Sequence, residues 1–416
     1  MSGPSSPSWA HWRLQPWMLR RLALFLAMLM SGGILLIPRV PVLALLIVLC
    51  LASTDFRLPI RRALWPLYSL LLAVLLLTLV RPGGVDPVSL VIRFANFSAA
   101  VLLLNMYACA PPGTLVKDLQ ALLWPMAWQA IGTVLLAHTV GFLFVPLNFS
   151  ETQYRTLLLL FTYHITIEDA GGLVRPDGFF FEPGVFQIYL NLYLFLMLFH
   201  ARNLRRAAVG LVAVLSTQST TGLLICILLV CAAFLQHART RSPRRRMLVL
   251  LAAAAVTPAL LALGYDNLQE KLFGTFQGSS LTRQYDLITG LNILAEHPLL
   301  GIGFDTDRHI ASAQTLGYED TPLSLESLEE RATSNGLIQL FVSLGIPLGL
   351  AFIAGIFRQR LFGHQWLISL WFLLSMVGEA LVFTPFFLLV AFSAYLVVRT
   401  PQARRQPSAA KTAGAP

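Results

Sequence analysis

Three polar stretches of this chain carry residue types suited to chemistry. In "VRPDGFFFEPGVF", Arg175, Asp177 and Glu182 stand just ahead of an apolar run. In "SSLTRQYDLITGLNILAEHP", Arg283 heads a periodic segment. In "ATSNGLIQLFVSLGIPLGL", Ser334 and Asn335 open another apolar run. A guanidinium is a planar fork that binds oxyanions at two points and stays charged at any relevant pH. Arg175 and Arg283 therefore read as a pair able to hold phosphate; the competing role is snorkelling to lipid headgroups. Arg93 lies inside an apolar run, where a charge marks function or reaches out to the interface. Glu182, seven residues after Arg175, suits a general base, a hydroxyl acceptor or an ion-pair partner that braces the loop. Ser334 and Asn335 suit a helix cap as much as a substrate contact. His309 shares the polar stretch of Arg283, and no histidine pair has metal-ligand spacing. Arg39, Arg81, Arg155, Arg308 and Arg331 lack such context and read as solvated or headgroup-bound.

Other chemistries have no support. There is no P-loop, no GxGxxG fingerprint and no Gly-x-Ser-x-Gly elbow, which removes the sequence basis for ATP-driven transport and serine hydrolysis. "FDTD" is the nearest approach to an aspartate pair of a metal-dependent transferase, and it is a weak match.

The composition says what scaffold positions these residues. Of 416 residues, 56% are apolar and 12% charged, against about 25% charged in soluble domains. The apolar runs are continuous and close to the ~20 residues of a spanning helix, whereas an outer-membrane barrel would alternate over roughly ten. The chain reads as an all-α polytopic integral membrane protein with about 12 transmembrane helices (10–12). They fall near 19–37, 41–54, 63–80, 88–110, 123–147, 184–200, 207–217, 219–236, 247–263, 334–357, 365–378 and 381–398. Leu22–Ile37 follows Arg20 and Arg21 without a cleavage site, so it reads as the first span rather than a leader. With the N-terminus inside, the inner connections hold 21 Lys+Arg and 2 acids, and the rest of the chain 9 and 18. The positive-inside rule then gives N-in/C-in topology. Residues 1–18 become a cytoplasmic segment, 19–398 one transmembrane domain and 399–416 a cytoplasmic, disordered tail. The net charge of +10 belongs to this topology and does not point to nucleic acid. The four cysteines lie in apolar runs, so neither a disulfide framework nor a metal cluster is expected.

Two outer connections are long, at about 148–183 and 264–333, and an external activity belongs there. Residues 207–236 have basic flanks on both sides and must cross twice or enter and return. Two short helices of about 15 residues around the apex "STQSTTG" (Ser216–Gly222) fit, with the apex buried in protein or facing a water-filled cavity. In the second loop, Leu281, Tyr285, Ile288, Leu291 and Ala295 share a helical face, suited to the membrane surface or to the bundle. "HPLLGIGFDTD" follows with two glycines that bring backbone close to something, and "TPLSLESLEER" reads as a short acidic helix capped by Thr321. Phe179–Phe181 reads as an interfacial aromatic anchor, with stacking on sugar rings as the second role.

Four pieces in this order, "RPDGFFFEPGVF", "TQSTTGLL", "TRQYDLITGLNILAEHPLLGIGFDTD" and "TSNGLIQLFVSLGIPLGL", resemble the O-antigen polymerase and O-antigen ligase superfamily of integral membrane glycosyltransferases. The resemblance covers roughly residues 155–357. It implies a GT-C-like architecture in the bacterial inner membrane with the active site facing the periplasm. It implies a glycan donor on undecaprenyl diphosphate, a glycan acceptor, and no nucleotide sugar, cofactor or metal. By the same carry-over Arg175 and Arg283 hold the diphosphate, and Glu182 is the glutamate of the Glu-Pro motif. Partners implied are the lipid-linked donor and acceptor, membrane lipids, and a chain-length regulator and flippase of the same pathway, with no nucleic acid. Two departures matter. Ligase members carry histidine where Ser334 stands, and serine is no base near neutral pH, which favours a polymerase of repeat units. The base is then open among Glu182, Glu330 and His309. Thr220 stands where relatives often carry arginine. The alternatives are a ligase moving finished glycan to a lipid A core, and a transporter or flippase. No paired halves and no long central cytoplasmic loop support the last.

Overall fold

The architecture follows from where apolar runs are long and where glycine or proline interrupts them. In the computed structural model the described residues are 15–33, 38–54, 64–80, 87–149, 152–165, 174–239, 277–304, 306–314 and 333–395, with isolated positions 247, 258, 262 and 269. The expected span at 247–263, the acidic helix at Thr321 with Glu330, and the tail 399–416 lie outside them.

The helices, in chain order, are α1 Pro16–Leu29, α2 Arg39–Ser53, α3 Trp65–Val80, α4 Pro87–Cys109, α5 Thr114–Val140, α6 Pro183–Phe195, α7 Leu204–Ser216 and α8 Thr220–Arg239. They continue as α9 Gln277–Glu296, α10 Thr306–Gln314, α11 Gly336–Phe357, α12 Gln365–Gly378 and α13 Pro385–Phe392. Among the described residues, five segments are long and apolar enough to cross a membrane: Pro87–Cys109, Thr114–Leu143, Pro183–Ala201, Thr220–Ala238 and Gly336–Phe357. α2, α3, α12 and the α13 segment are shorter apolar helices. A mostly helical polytopic membrane protein is therefore what the chain folds into.

α6 is the central post. Pro183 opens it, where a missing N–H costs nothing, and every residue but Gly184 is buried. Tyr189 stacks on Phe180 at 5.0 Å, and Trp371 of α12 stacks on Phe387 of α13 at 6.1 Å while donating to the Ile188 carbonyl at 3.1 Å. This post also bonds across helices through a polar side chain: Asn191 Nδ2 donates to the Gly222 carbonyl of α8 at 3.0 Å. The helices are close there: a Cβ on Gly222 would stand 2.9 Å from Gln187 Oε1 and 3.0 Å from its Cβ. The apex "STQSTTG" is thus buried in protein, as membrane depth requires. α7 and α8 form the expected hairpin, although α8, at 20 residues, is longer than expected.

The all-α expectation fails in the first long connection. Val145–Phe149, Thr152–Leu157, Phe161–Ile165 and Arg175–Pro176 form a four-stranded antiparallel sheet, β1 to β4 in order. Its pairing includes Tyr154 opposite His164 and His164 opposite Arg175. The physical reason is local. "TQYRTL" and "FTYHI" are rich in β-branched and aromatic residues and alternate over a few positions, too short to register against the long helical runs.

The glycines of the second long connection have a packing role. In α11, Pro347 has no N–H, and Gly345 leaves helical geometry at φ 75° and ψ 172°. The carbonyls of Val342 and Ser343 lose their helical partners there. Ile302 N and Gly303 N donate to them at 2.8 and 3.1 Å, and Ile346 N donates to the Pro298 carbonyl at 2.8 Å. The approach is so close that a Cβ at Gly301 would lie 2.1 Å from Val342 O. "HPLLGIGF" is therefore a clasp on a broken helix. α9 packs on α11 through buried Asp286, Thr289, Gly290 and Ile293, while Ile288 and Leu291 stay exposed. The predicted apolar stripe faces outward and the polar side faces the bundle.

Candidate functional site: an arginine-lined cavity at one end of the bundle

The ends of α1, α6, α11, α12 and α13 meet α2, α4 and α9 around a cavity of about 870 Å³. Its wall carries Arg39 of α2, Arg93 of α4 and Arg283 of α9, with Glu182 at the start of α6 and Glu379 at the end of α12. At the opposite end of α1, Arg20 and Arg21 both pair with buried Asp118, at 3.0 and 2.9 Å. The two ends of the bundle thus differ in kind: one holds a closed ion cluster, the other an open cationic cavity.

Each cation comes from a different element. Arg39 is the first residue of α2. Arg93 lies nearly two turns into α4, with its guanidinium 5.8 Å over the Phe383 ring. Arg283 projects from the inward face of α9 and brings Nη2 to 4.0 Å from where a Cβ would stand on Gly378. Three helix starts contribute wall residues as well: Glu182 before α6, Ser334 before α11 and Thr384 before α13. Helix N-termini carry partial positive charge. The site is accordingly suited to an oxyanion.

The sequence-derived residues divide. Glu182, Arg283, Arg93 and Ser334 share the cavity wall. Ser334 is engaged there: its N–H donates to Asp286 Oδ2 at 2.7 Å, and its hydroxyl bonds the same oxygen. Asn335 stands off the wall and caps α11, accepting from Leu337 N and Ile338 N at 3.0 and 3.1 Å. His309 is also off the wall, 4% exposed in α10. Burial holds its pKa below the ordinary histidine value against the opposing charge of Asp286. Arg175 lies outside the wall too, half-buried, its Nε donating to the Thr217 carbonyl at 3.3 Å. It joins β4 to the turn between α7 and α8.

Two wall residues escaped the sequence reading. Arg39, read as headgroup-bound, faces the cavity, and only the short link between α1 and α2 hinted at it. Glu379 sits between two apolar runs with no motif around it, so no sequence signal marked it. A third feature lies behind the wall. Asp177 is fully buried and bonds His164 Nδ1 at 2.8 Å. Burial pushes the Asp177 carboxyl up to about 6, against the hydrogen bond and charge of His164. Burial pulls His164 down, but the Asp177 bond and charge win and leave it raised. This pair fixes the segment that ends in Glu182. The Asp177 N–H donates to the Thr162 carbonyl at 2.9 Å, and Tyr154 Oη donates to the Phe181 carbonyl at 2.8 Å. The aromatic triplet is a clamp rather than an interfacial anchor: Phe179 packs edge-on against Phe25, Phe180 enters the core, and Phe181 lines the cavity.

Fold and cavity define a polytopic helical membrane protein with an anion-suited site at one end. Residues 207–353, about a third of the chain, match the family described as O-Antigen ligase. That segment holds Arg283, Ser334, the turn at Gly222 and the clasp, whereas Arg39, Arg93, Glu182 and Glu379 come from outside it. Comparison with curated proteins and with solved structures finds no match.

Proposed function

We propose that this protein is an inner-membrane glycosyltransferase that extends a polysaccharide from repeat units carried on a polyprenyl diphosphate. The observation that carries the reading is the convergence of Arg39, Arg93 and Arg283 on one cavity within a chain bearing an O-antigen ligase domain. The leaving group of such a transfer is a lipid diphosphate. Its developing charge needs fixed positive groups in a site of low dielectric. Glu182 and Glu379 supply carboxylates on the same wall for the acceptor hydroxyl.

Polymerisation is favoured over ligation because Ser334, engaged with Asp286, stands where ligases carry histidine. Ligation to a lipid A core is the second reading, supported by the description of the matched family. The cavity end faces the periplasm on the reading that the Arg20, Arg21 and Asp118 end is cytoplasmic. A null mutant separates the two activities. Accumulated single repeat units on the lipid support the polymerase, long lipid-linked chains support the ligase, and an unchanged lipid-linked pool contradicts both.

A further inference from the structure

Resting on that reading, we propose that Glu379 is the catalytic base that takes the proton of the acceptor hydroxyl. Glu379 stands at the break between α12 and α13, where Gly378, Glu379, Ala380, Leu381 and Thr384 all contribute to the cavity wall. Two glycines at the starts of other helices are shaped to it. A Cβ on Gly184 of α6 would stand 2.5 Å from Glu379 Oε1, and a Cβ on Gly336 of α11 would stand 2.6 Å from the Glu379 carbonyl oxygen. Gly184 thus leaves room for the carboxylate on the first turn of α6, and Gly336 leaves room for the Glu379 backbone.

Its neighbours give it a role. Arg283 Nη2 stands 4.0 Å from where a Cβ would be on the adjacent Gly378, so a diphosphate held by Arg283 would place its sugar beside Glu379. The other sequence-derived bases are less well placed. His309 is buried away from the wall, and the Ser334 hydroxyl is committed to Asp286. Glu182 shares the wall, its Cδ 3.5 Å and the Glu379 Cδ 3.6 Å from the same point over Gly184, so the two carboxylates flank one spot, and Glu379 is the one that adjoins Gly378, where Arg283 arrives. Glu182 braces and Glu379 reacts.

The step balances without a co-reactant. Glu379 takes the proton from the acceptor O–H, and the oxygen forms a bond to the anomeric carbon of the donor. The bond from that carbon to the diphosphate oxygen breaks, and the polyprenyl diphosphate leaves with the electron pair, its charge met by Arg39, Arg93 and Arg283.

The test uses the full-length protein in liposomes with a synthetic polyprenyl-diphosphate repeat unit, and follows kcat and KM across pH. Glu379→Gln is expected to lower kcat by about 100-fold or more, the usual span for a lost general base, and to remove the acidic limb of the pH profile. Its KM for the lipid donor stays near wild type, because the arginines remain. Glu379→Asp keeps a displaced base and is expected to retain the acidic limb at reduced kcat. If Glu379→Gln lowers the thermal midpoint, the aspartate variant decides: a wild-type kcat there overturns the proposal. An acidic limb that survives in Glu379→Gln and vanishes in Glu182→Gln also overturns it. Folded wild-type protein that transfers nothing overturns the functional reading itself, whereas active wild type with near-normal Glu379→Gln overturns only the role of Glu379.

Discussion

At the scale of single residues, the decisive contrast is between arginines that face space and arginines that face protein. Arg283 reaches the cavity; Arg175 is spent on the Thr217 carbonyl. Arg283→Ala is expected to reduce glycan transfer by about 10²–10³-fold, the effect of removing one oxyanion-stabilising donor. Its thermal midpoint should not change, and wild-type transfer would remove it from the site. Arg175→Ala is expected to lose transfer together with stability, because it unties β4 from the turn before α8. Ser334 and Asn335 are local supports. Asn335→Ala should cost about 1 kcal/mol through the lost cap, while Ser334→Ala should retain transfer; an inactive, well-inserted Ser334→Ala would show that the hydroxyl serves chemistry. The sequence made Arg283 and Glu182 legible because motifs surround them. Arg39 and Glu379 were not, since each stands at a helix end whose neighbours in space are far away in the chain.

At the scale of elements, glycine and proline decide how the site is held. The clasp of Gly301 and Gly303 on the break at Gly345 and Pro347 positions α9, and with it Arg283 and Asp286. Gly301 adopts φ 61°, and a side chain there would meet the Val342 carbonyl. Gly301→Ala is expected to cost about 3 kcal/mol or more from overpacking and left-handed strain together. A thermal midpoint in detergent close to wild type would refute the clasp. The sheet makes a second element-scale prediction. Asp177 and His164 both hold a proton more tightly folded than unfolded. Their contribution to stability is present at low pH and is lost as pH rises, through about 6 for Asp177 and through the raised value of His164. The thermal midpoint should fall between mildly acid and mildly alkaline pH, and Asp177→Asn should flatten or invert that fall. An unchanged slope would mean that the pair does not titrate with folding. Both glycines were visible in the sequence as a close approach, but not what they approached. The sheet was hidden because strands of five or six residues leave a weak period beside helices of twenty.

At the scale of the whole molecule, charge and apolarity separate along the bundle. The membrane class follows from run length, and the basic clusters give the expected sidedness of the long loops; both are averages over many residues. Where the apolar stripe of α9 points does not follow, since a helix at a membrane boundary exposes apolar residues to lipid and turns polar ones toward a cavity. The domain match spans the clasp and Arg283, and the rest of the cavity wall is recruited from both chain ends. The measurement that tests the central claim most directly is transfer by purified protein in liposomes supplied with a polyprenyl-diphosphate repeat unit, with chelator present, beside the Arg283→Ala and Arg93→Ala variants. Wild type is expected to give a ladder of longer lipid-linked glycans, unaffected by chelator, and either variant about 100-fold less or lower still. Folded wild-type protein that leaves the repeat unit unextended, or variants that extend it as wild type does, would contradict that claim.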